Sequence, residues 1–284
     1  MKLVLSRKGF DSAAGGVPSP ILPGGRLQSL PIPDPQSAQR YRDIGGSEPR
    51  VATLVAQLSP GLRATSHVHL DPDLDADQQP RLTGWRPAFG QAGAALGHLE
   101  RLGVGVGDLF LFFGWFRAAE RHRRRWRFVP GAPDLHLLFG WLQVGEVIDL
   151  RAAPPGAPWA SHVHCTRRFN GGNALFVAAP RLVLDGTAIG CAGGGHWRHT
   201  AALRQLTVDG WSRSQWRLPR AFLPIETDAG LDCLSCHARA ARWRDCGSHC
   251  ELHAVPRGQE FVLDCARRPG VLAWAASLFD DVAR

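Results

Sequence analysis

The apolar positions of the chain fall into short blocks whose spacing switches between strand and helix periods. Lys2 to Ser6 is an apolar run closed by the polar turn Arg7-Lys8-Gly9-Phe10-Asp11, which predicts a first strand. Ser12 to Pro35 is crowded with glycine and proline and predicts an extended, ordered loop, because proline interrupts helix hydrogen bonding. Pro49 to Leu58 is predicted helical. Between Ala88 and Leu102 the apolar positions Phe89, Ala92, Ala95, Leu96, Leu99 and Leu102 recur at helical spacing, with Gly103 where a left-handed cap belongs, so a helix is expected there. Asp108 then marks the entry to a buried aromatic strand, Leu109 to Phe116. A strand pair at Leu135 to Trp141 and Leu142 to Leu150 is expected beyond a basic connection, Arg117 to Arg127. After a proline-rich break at Pro154 to Pro158 come strand-like runs at Ala174 to Ala178 and Arg181 to Leu184, then a glycine-rich loop, Gly190 to Gly195. Short runs follow at Leu203 to Val208 and Phe261 to Leu263. Pro269 and Gly270 open a terminal helix whose stripe is Val271, Trp274, Ala275, Leu278, Phe279 and Val282. Many short strands with few helices predict an α+β fold, a mixed sheet or partly closed β-barrel with helices packed on one side. No internal repeat is visible, and residues 1–284 read as one domain, with any sub-division near 151–158.

Composition supports a packed core: 44% of residues are hydrophobic and 20% charged, with 10 Trp and 13 Phe, a balance that excludes a disordered chain. The longest apolar stretch, Gly103 to Phe116, carries Asp108 and falls short of the ~20 residues of a membrane span. Leu3 to Leu5 is too short for the apolar core of a secretory signal, so the chain is expected to be cytoplasmic, without a membrane partner. The net charge of +8 raises the expectation of a polyanionic partner. All but two of the 33 basic residues are arginine, in a chain rich in Ala, Gly and Pro, so coding bias explains the excess equally well.

Several residue groups have the composition of chemical sites. Arg7, Lys8 and Asp11 close the first strand around a glycine, an arrangement that presents charge to a phosphate, or that merely solvates a turn. His69, Asp71 and Asp73 alternate, as do His162 and His164, so extended backbone would put each set on one face as donors for Zn, Mn or Fe. Histidines hydrogen-bonded in loops are the commoner outcome of such pairs. Cys233, Cys236, Cys246 and Cys250, with His237, His249 and His253 interleaved, have the look of a small zinc knuckle, against a reading as ordinary reduced thiols. The segment RAAERHRRRWR at 117–127 surrounds Trp126 with six arginines and would suit base stacking and phosphate contact, or a solvated connection. Arg257, Gln259 and Glu260 offer cation, amide and acid ahead of a strand.

SRKGFDS at 6–12, PSPILP at 18–23, LPIP at 30–33, HLDPDL at 69–74, GWRPAFGQAGAA at 84–95, VGDLFLFFGWFR at 106–117, PDLHLLFGWLQVGEV at 133–147 and RGQEFVLD at 257–264 stand in an order that resembles the bacterial family called nucleotide modification associated domain 3. The resemblance implies work beside systems that modify nucleotides or DNA bases, as an enzyme or an accessory, with other base-modification enzymes as partners. Its motifs fall on Arg7, Lys8, Asp11, His69, Asp71, Asp73, Arg86, Gln91, Trp115, Arg117, His162, His164, Arg257, Gln259 and Glu260. It also implies an aromatic residue where this chain has Cys236, so a zinc knuckle would be peculiar to this chain.

Two readings of different class follow. In the first, a protein handling modified nucleobases or nucleotides holds phosphate with Arg7 and Lys8, moves protons with Asp71 or Glu260, and stacks a base on Trp115 or Phe116. In the second, the VGD-aromatic rhythm marks a non-catalytic reader similar to small PUA-like barrels, which needs an aromatic cage rather than an acid and a base. A structural subunit whose polar motifs only hold loops is the third. No Rossmann or phosphate-loop motif specifies a cofactor.

Overall fold

In a computed structural model, which describes residues 1–152, 155–228 and 230–282, ten strands form one mixed sheet. Its central path uses β1 (Lys2–Arg7), β4 (Ala88–Ala92), β5 (Leu109–His122), β7 (Leu135–Asp149), β8 (Asn173–Ala178) and β13 (Glu260–Asp264), in the order β13-β1-β5-β7-β8-β4. Four short strands extend it: β2 (Ser19–Leu22), β3 (Arg26–Leu27), β6 (Arg125–Phe128) and β9 (Gly194–His196). β5 runs parallel to β1 and β2, and the other pairs are antiparallel. A separate antiparallel sheet holds β10 (Gln215–Pro219), β11 (Trp243–Asp245) and β12 (His249–His253). Pro154 of the proline-rich break, and residue 153 before it, lie outside the described residues.

Side chains alternate across the long strands and build two cores. Leu3, Leu5, Leu111, Phe113 and Phe261 face one way, against Trp216 and Leu252 of the small sheet and against helix α4 (Pro269–Ser277). Val4, Phe110, Phe112 and Val262 face the other way and meet Phe89 and Phe176, because the sheet curls and brings its far strands over this face. Two extra residues in β7 permit the curl: its register skips Phe139 opposite β5 and Gly145 opposite β8, and such bulges bend a strand. The edge strands β4 and β13 share no backbone pairing, so no closed barrel forms. A side-chain bond spans that gap, from Gln91 Nε2 to Glu260 Oε1 at 2.7 Å.

Helix α2 (Gly93–Arg101) fills the same opening, with Leu96 and Leu99 in the curled core. α2 and α4 therefore cover opposite faces of the sheet, which corrects the expectation of helices on one side. The helix expected over Ala88 to Leu102 is also shorter than its apolar spacing suggests. Ala88 to Ala92 pair with β8, and Gly93, at φ +57°, turns the chain from strand to helix. Leu135 to Leu150 is one bulged strand through Asp149 rather than a pair, and the basic connection is the arm of a hairpin, β5–β6. Helix α1 (Val51–Leu58) packs with Tyr41 and Ile44 under Trp126 and Phe128 of that hairpin. No helix among the described residues is long and apolar enough to cross a membrane.

Two buried histidines link this packing to pH. His136 accepts the Trp216 indole N–H on Nδ1 at 3.0 Å, and burial, helped by Arg7 and Arg213, holds its pKa well below the ordinary value. His237 donates from Nδ1 to the Ser235 carbonyl and accepts the Val255 N–H on Nε2. Burial pushes its pKa down to about 4. A histidine neutral in the folded state stabilises fully above its unfolded pKa of ~6.5 and loses that contribution as pH falls toward the folded value. The urea midpoint is expected to hold at pH 7 to 8 and then fall between pH 6.5 and 4, with roughly 3 kcal/mol lost from His237 alone. A midpoint unchanged down to pH 4 would contradict neutral burial.

Candidate metal centre

His69 and Asp71 lie on the loop that leads toward β4, and His164 on the short helix α3 (Val163–Thr166) that packs outside β4 and β8. Their ligating atoms all lie within 4.8 Å of one another, and all three residues are buried. An ion with bonds of about 2.1 Å spans up to ~4.2 Å between opposite ligands, so the donors need close only slightly.

Each donor is already oriented. His69 donates from Nδ1 to Asp34 Oδ2 at 3.1 Å, and Arg167 holds the same oxygen at 2.7 Å. His164 donates from Nδ1 to Asn173 Oδ1 at 2.7 Å, and Asn173 returns a bond from Nδ2 to the His164 carbonyl at 2.9 Å. With both Nδ1 atoms engaged as donors, the lone pairs sit on the Nε2 atoms, which is how metal-binding histidines are usually fixed. Asp71 Oδ1 accepts the Gly90 backbone N–H at 2.7 Å. His162 caps α3, where its Nδ1 accepts the His164 N–H, and its Nε2 lies 3.4 Å from Asp71 Oδ1.

Gly90 makes the crowding feasible. A Cβ at this position would stand 2.2 Å from two His164 ring atoms, Cγ and Cδ2. Phe169 stacks on the same imidazole with ring centroids 4.3 Å apart, so the ring is wedged between a bare backbone and an aromatic face.

The protonation states suit a cation. Burial pushes His164 down to about 4 and lowers His69, with Asp71 and Asp34 only partly offsetting the effect. Burial opposes the charge on Asp71, but the His162 contact and the neighbouring His164 and His69 outweigh it and hold the carboxyl well below its usual range. At pH 7 the set is two neutral imidazoles and one carboxylate, the donor states a divalent ion needs. Asp71 also stands in the wall of a cleft of about 190 Å3, together with Arg26, Gln28, His196 and Arg198.

The family model described as nucleotide modification associated domain 3 matches residues 2–264, which include every residue of this centre. The chain belongs to that family. No curated protein and no solved structure matches it.

Within this nucleotide modification associated domain 3 chain, the other expected site residues separate into distinct places. Lys8 and Glu260 form a buried ion pair at 2.9 Å inside the curled sheet, with Gln91 on the same carboxylate oxygen and the Lys8 ammonium 4.3 Å from the Phe89 ring centre. Glu260 Oε2 and Ser6 Oγ beside it have no partner among the described residues. Neutralising Glu260 alone would leave a buried, unpaired ammonium, a loss of about 3–5 kcal/mol, so Glu260→Gln is a stability change before it is a functional one.

Arg7 projects to the opposite face from Lys8 and donates to the carbonyls of Pro256 and Val255 at 2.8 and 3.1 Å, so the two do not form a joint phosphate grip. Asp11 caps its own turn through the Ala13 and Ala14 N–H groups. Asp73 is not part of the donor set and is held by Arg81. Arg86 donates to the Ala178 carbonyl and lies 3.6 Å from Glu146. Arg117 is bidentate to Asp134. Trp115 lies under the Arg213 guanidinium at 4.0 Å, and Phe116 is fully buried against Phe139, so its ring offers no face to a base. Arg257 and Gln259 are exposed in the turn before β13.

The zinc knuckle is not assembled. Cys246 lies near His249 and Glu251, but Cys233 and Cys236 are not part of that group, and Glu251 is taken by Arg244 at 2.7 Å. Burial pushes the Cys250 thiol up to about 12, and it donates to the Pro219 carbonyl at 3.3 Å. Asp34, Gly90, Phe169 and Asn173 shape the candidate centre without having been singled out in the sequence.

Proposed function

We propose that this protein is a metal-dependent enzyme acting on a nucleotide or nucleobase, with a divalent ion held by His69, Asp71 and His164. The observation that carries this reading is the convergence of two Nδ1-anchored imidazoles with one ionised carboxylate, Asp71, which itself stands in the wall of a cleft. Two histidines and a carboxylate are a donor set that leaves coordination positions open, toward which water or a substrate oxygen can bind. Such an ion acts as a Lewis acid or activates its bound water near neutral pH. Arg26 and Arg198 line the same cleft and suit the phosphate of a nucleotide. The family's association with nucleotide modification supports the substrate class. A reader would rest on an aromatic cage, whereas Phe116 is sealed in the core and Trp115 is covered by Arg213.

The test is a panel of nucleotides and oligonucleotides incubated with chelator-stripped protein, alone or reloaded with Zn, Mn or Fe(II), with nucleosides analysed by mass spectrometry. A new product that requires metal and disappears in Asp71→Asn is expected. Ligand binding without product under every metal would favour the reader.

A further inference from the structure

The arginine-rich hairpin has no part in the metal centre, yet its surroundings form a path toward it. At its tip, Arg123 and Arg124 both adopt positive φ, +46° and +69°, the backbone of a tight two-residue turn that ordinarily favours Asn and Gly. Bulky side chains are strained there, and both arginines are exposed at the apex.

Beside the hairpin, Arg121, Arg124 and Trp126 line a hollow with Arg50 from the start of α1 and with Arg26. Glu48 is the one acid in its lining, and none of these four arginines pairs with a carboxylate among the described residues. The contrast with Arg127, paired to Glu120 at 2.7 Å on the same hairpin, is direct. Four cations sharing one hollow repel one another unless an anion with several charges joins them. Arg26 and Glu48 line both this hollow and the cleft whose wall contains Asp71, so the two adjoin.

We propose that the hollow binds a single-stranded nucleic acid, whose phosphates are held by Arg26, Arg50, Arg121 and Arg124, with Trp126 as a stacking surface and the strand directed into the cleft. The delivery step rests on the metal-centre reading above; the binding step does not. A free nucleotide carries its phosphates at one end and cannot engage both the cleft and the hairpin, whereas a strand carries one charge per residue along the path. Single strand is favoured over duplex because His69, Asp71 and His164 are each less than a tenth exposed, so a base reaches them only when it is out of a helical stack. A groove of cations with an aromatic along its length is the general form of single-strand binding sites.

The experiment is fluorescence anisotropy of a labelled 12-nucleotide thymidine oligomer, measured across salt concentrations, beside a metal titration of the same proteins. The variant is Arg121→Gln with Arg124→Gly, which removes two exposed charges and gives the turn a residue it accepts. The intact protein is expected to bind with a slope of log K against log salt of about −3, from four contacts at ~0.7 each. The variant should bind at least 30-fold more weakly with a slope shallower by about 1.4, while its metal stoichiometry is unchanged. Equal affinity in variant and intact protein, a preference for duplex, or equally tight binding of polyglutamate would each overturn the proposal. Loss of oligomer binding with metal binding kept in the intact protein removes the groove and spares the metal centre. Oligomer binding without metal binding does the reverse.

Discussion

His164→Ala is expected to abolish stoichiometric metal binding while leaving the sheet folded. In the proposed centre the imidazole supplies one of three ligands, and with only His69 and Asp71 left an ion loses a bond that solvent replaces poorly. Affinity should fall by at least 1000-fold, about 4 kcal/mol. The cost to folding is smaller, since α3 has only four residues on the outer face of β4 and β8 and the two main cores do not contain His164. Asn173→Ala should show the same effect in reduced form, a 10–100-fold loss, because it frees the Nδ1 atom that fixes the tautomer and the angle of the ring. Isothermal titration of each variant with Zn, Mn and Fe(II) checks both. Equal affinity in His164→Ala and the intact protein would exclude that imidazole as a ligand.

Gly90→Ala should be nearly as severe, although alanine is the smallest side chain that could be added. Its Cβ would stand 2.2 Å from the His164 ring, and Phe169 on the far face leaves the imidazole no room to retreat. Either the ring rotates away from Asp71 or β4 shifts, and Gly90 is also the residue whose N–H holds the Asp71 carboxylate. Overpacking of this kind costs about 1–3 kcal/mol of stability. Metal affinity is expected to fall by at least 100-fold, about 2.7 kcal/mol. Gly105→Ala, where an added Cβ meets nothing within 4 Å and φ is not positive, is the matched control and should leave both quantities unchanged. Titration calorimetry and urea unfolding on the pair separate a local wedge from a general intolerance of substitution at glycine.

Much of this architecture was legible in the chain because one physical signal dominated each element. The apolar run at Lys2 to Ser6, the stripe of Val271, Ala275 and Leu278, and the aromatic alternation of Leu109 to Phe116 each had a single burial environment and gave β1, α4 and the start of β5. Phe89 misled because its distance to Leu96 fits a helix, whereas its partner is Phe176 across a strand pair that only the fold creates. Leu135 to Leu150 looked interrupted because bulges at Phe139 and Gly145 reset the two-residue alternation inside one strand.

The candidate metal centre was half legible for a similar reason. His69, Asp71 and His164 appeared as donors in alternating pairs, but alternation also nominated Asp73, which Arg81 removes. Asp34 and Asn173 carry no local mark, since their importance lies in contacts 35 and 9 residues away in the chain. The opposed directions of Arg7 and Lys8 follow from the strand period alone and could have been drawn from it.

The most direct test of the account is the number of metal ions that one chain holds. Chelator-stripped protein, dialysed against low-micromolar Zn, Mn or Fe(II) and analysed by elemental mass spectrometry, should retain one ion per chain for at least one of these metals. The His69→Ala/His164→Ala double variant should retain none. Because both imidazoles are neutral and Asp71 is ionised at pH 7, these three ligands should contribute almost no proton release on binding, so any release measured in two buffers of different ionisation enthalpy comes from metal-bound water. No retained ion for any of the three metals, or one ion retained equally by the double variant, would contradict the assignment of His69, Asp71 and His164 as a metal centre.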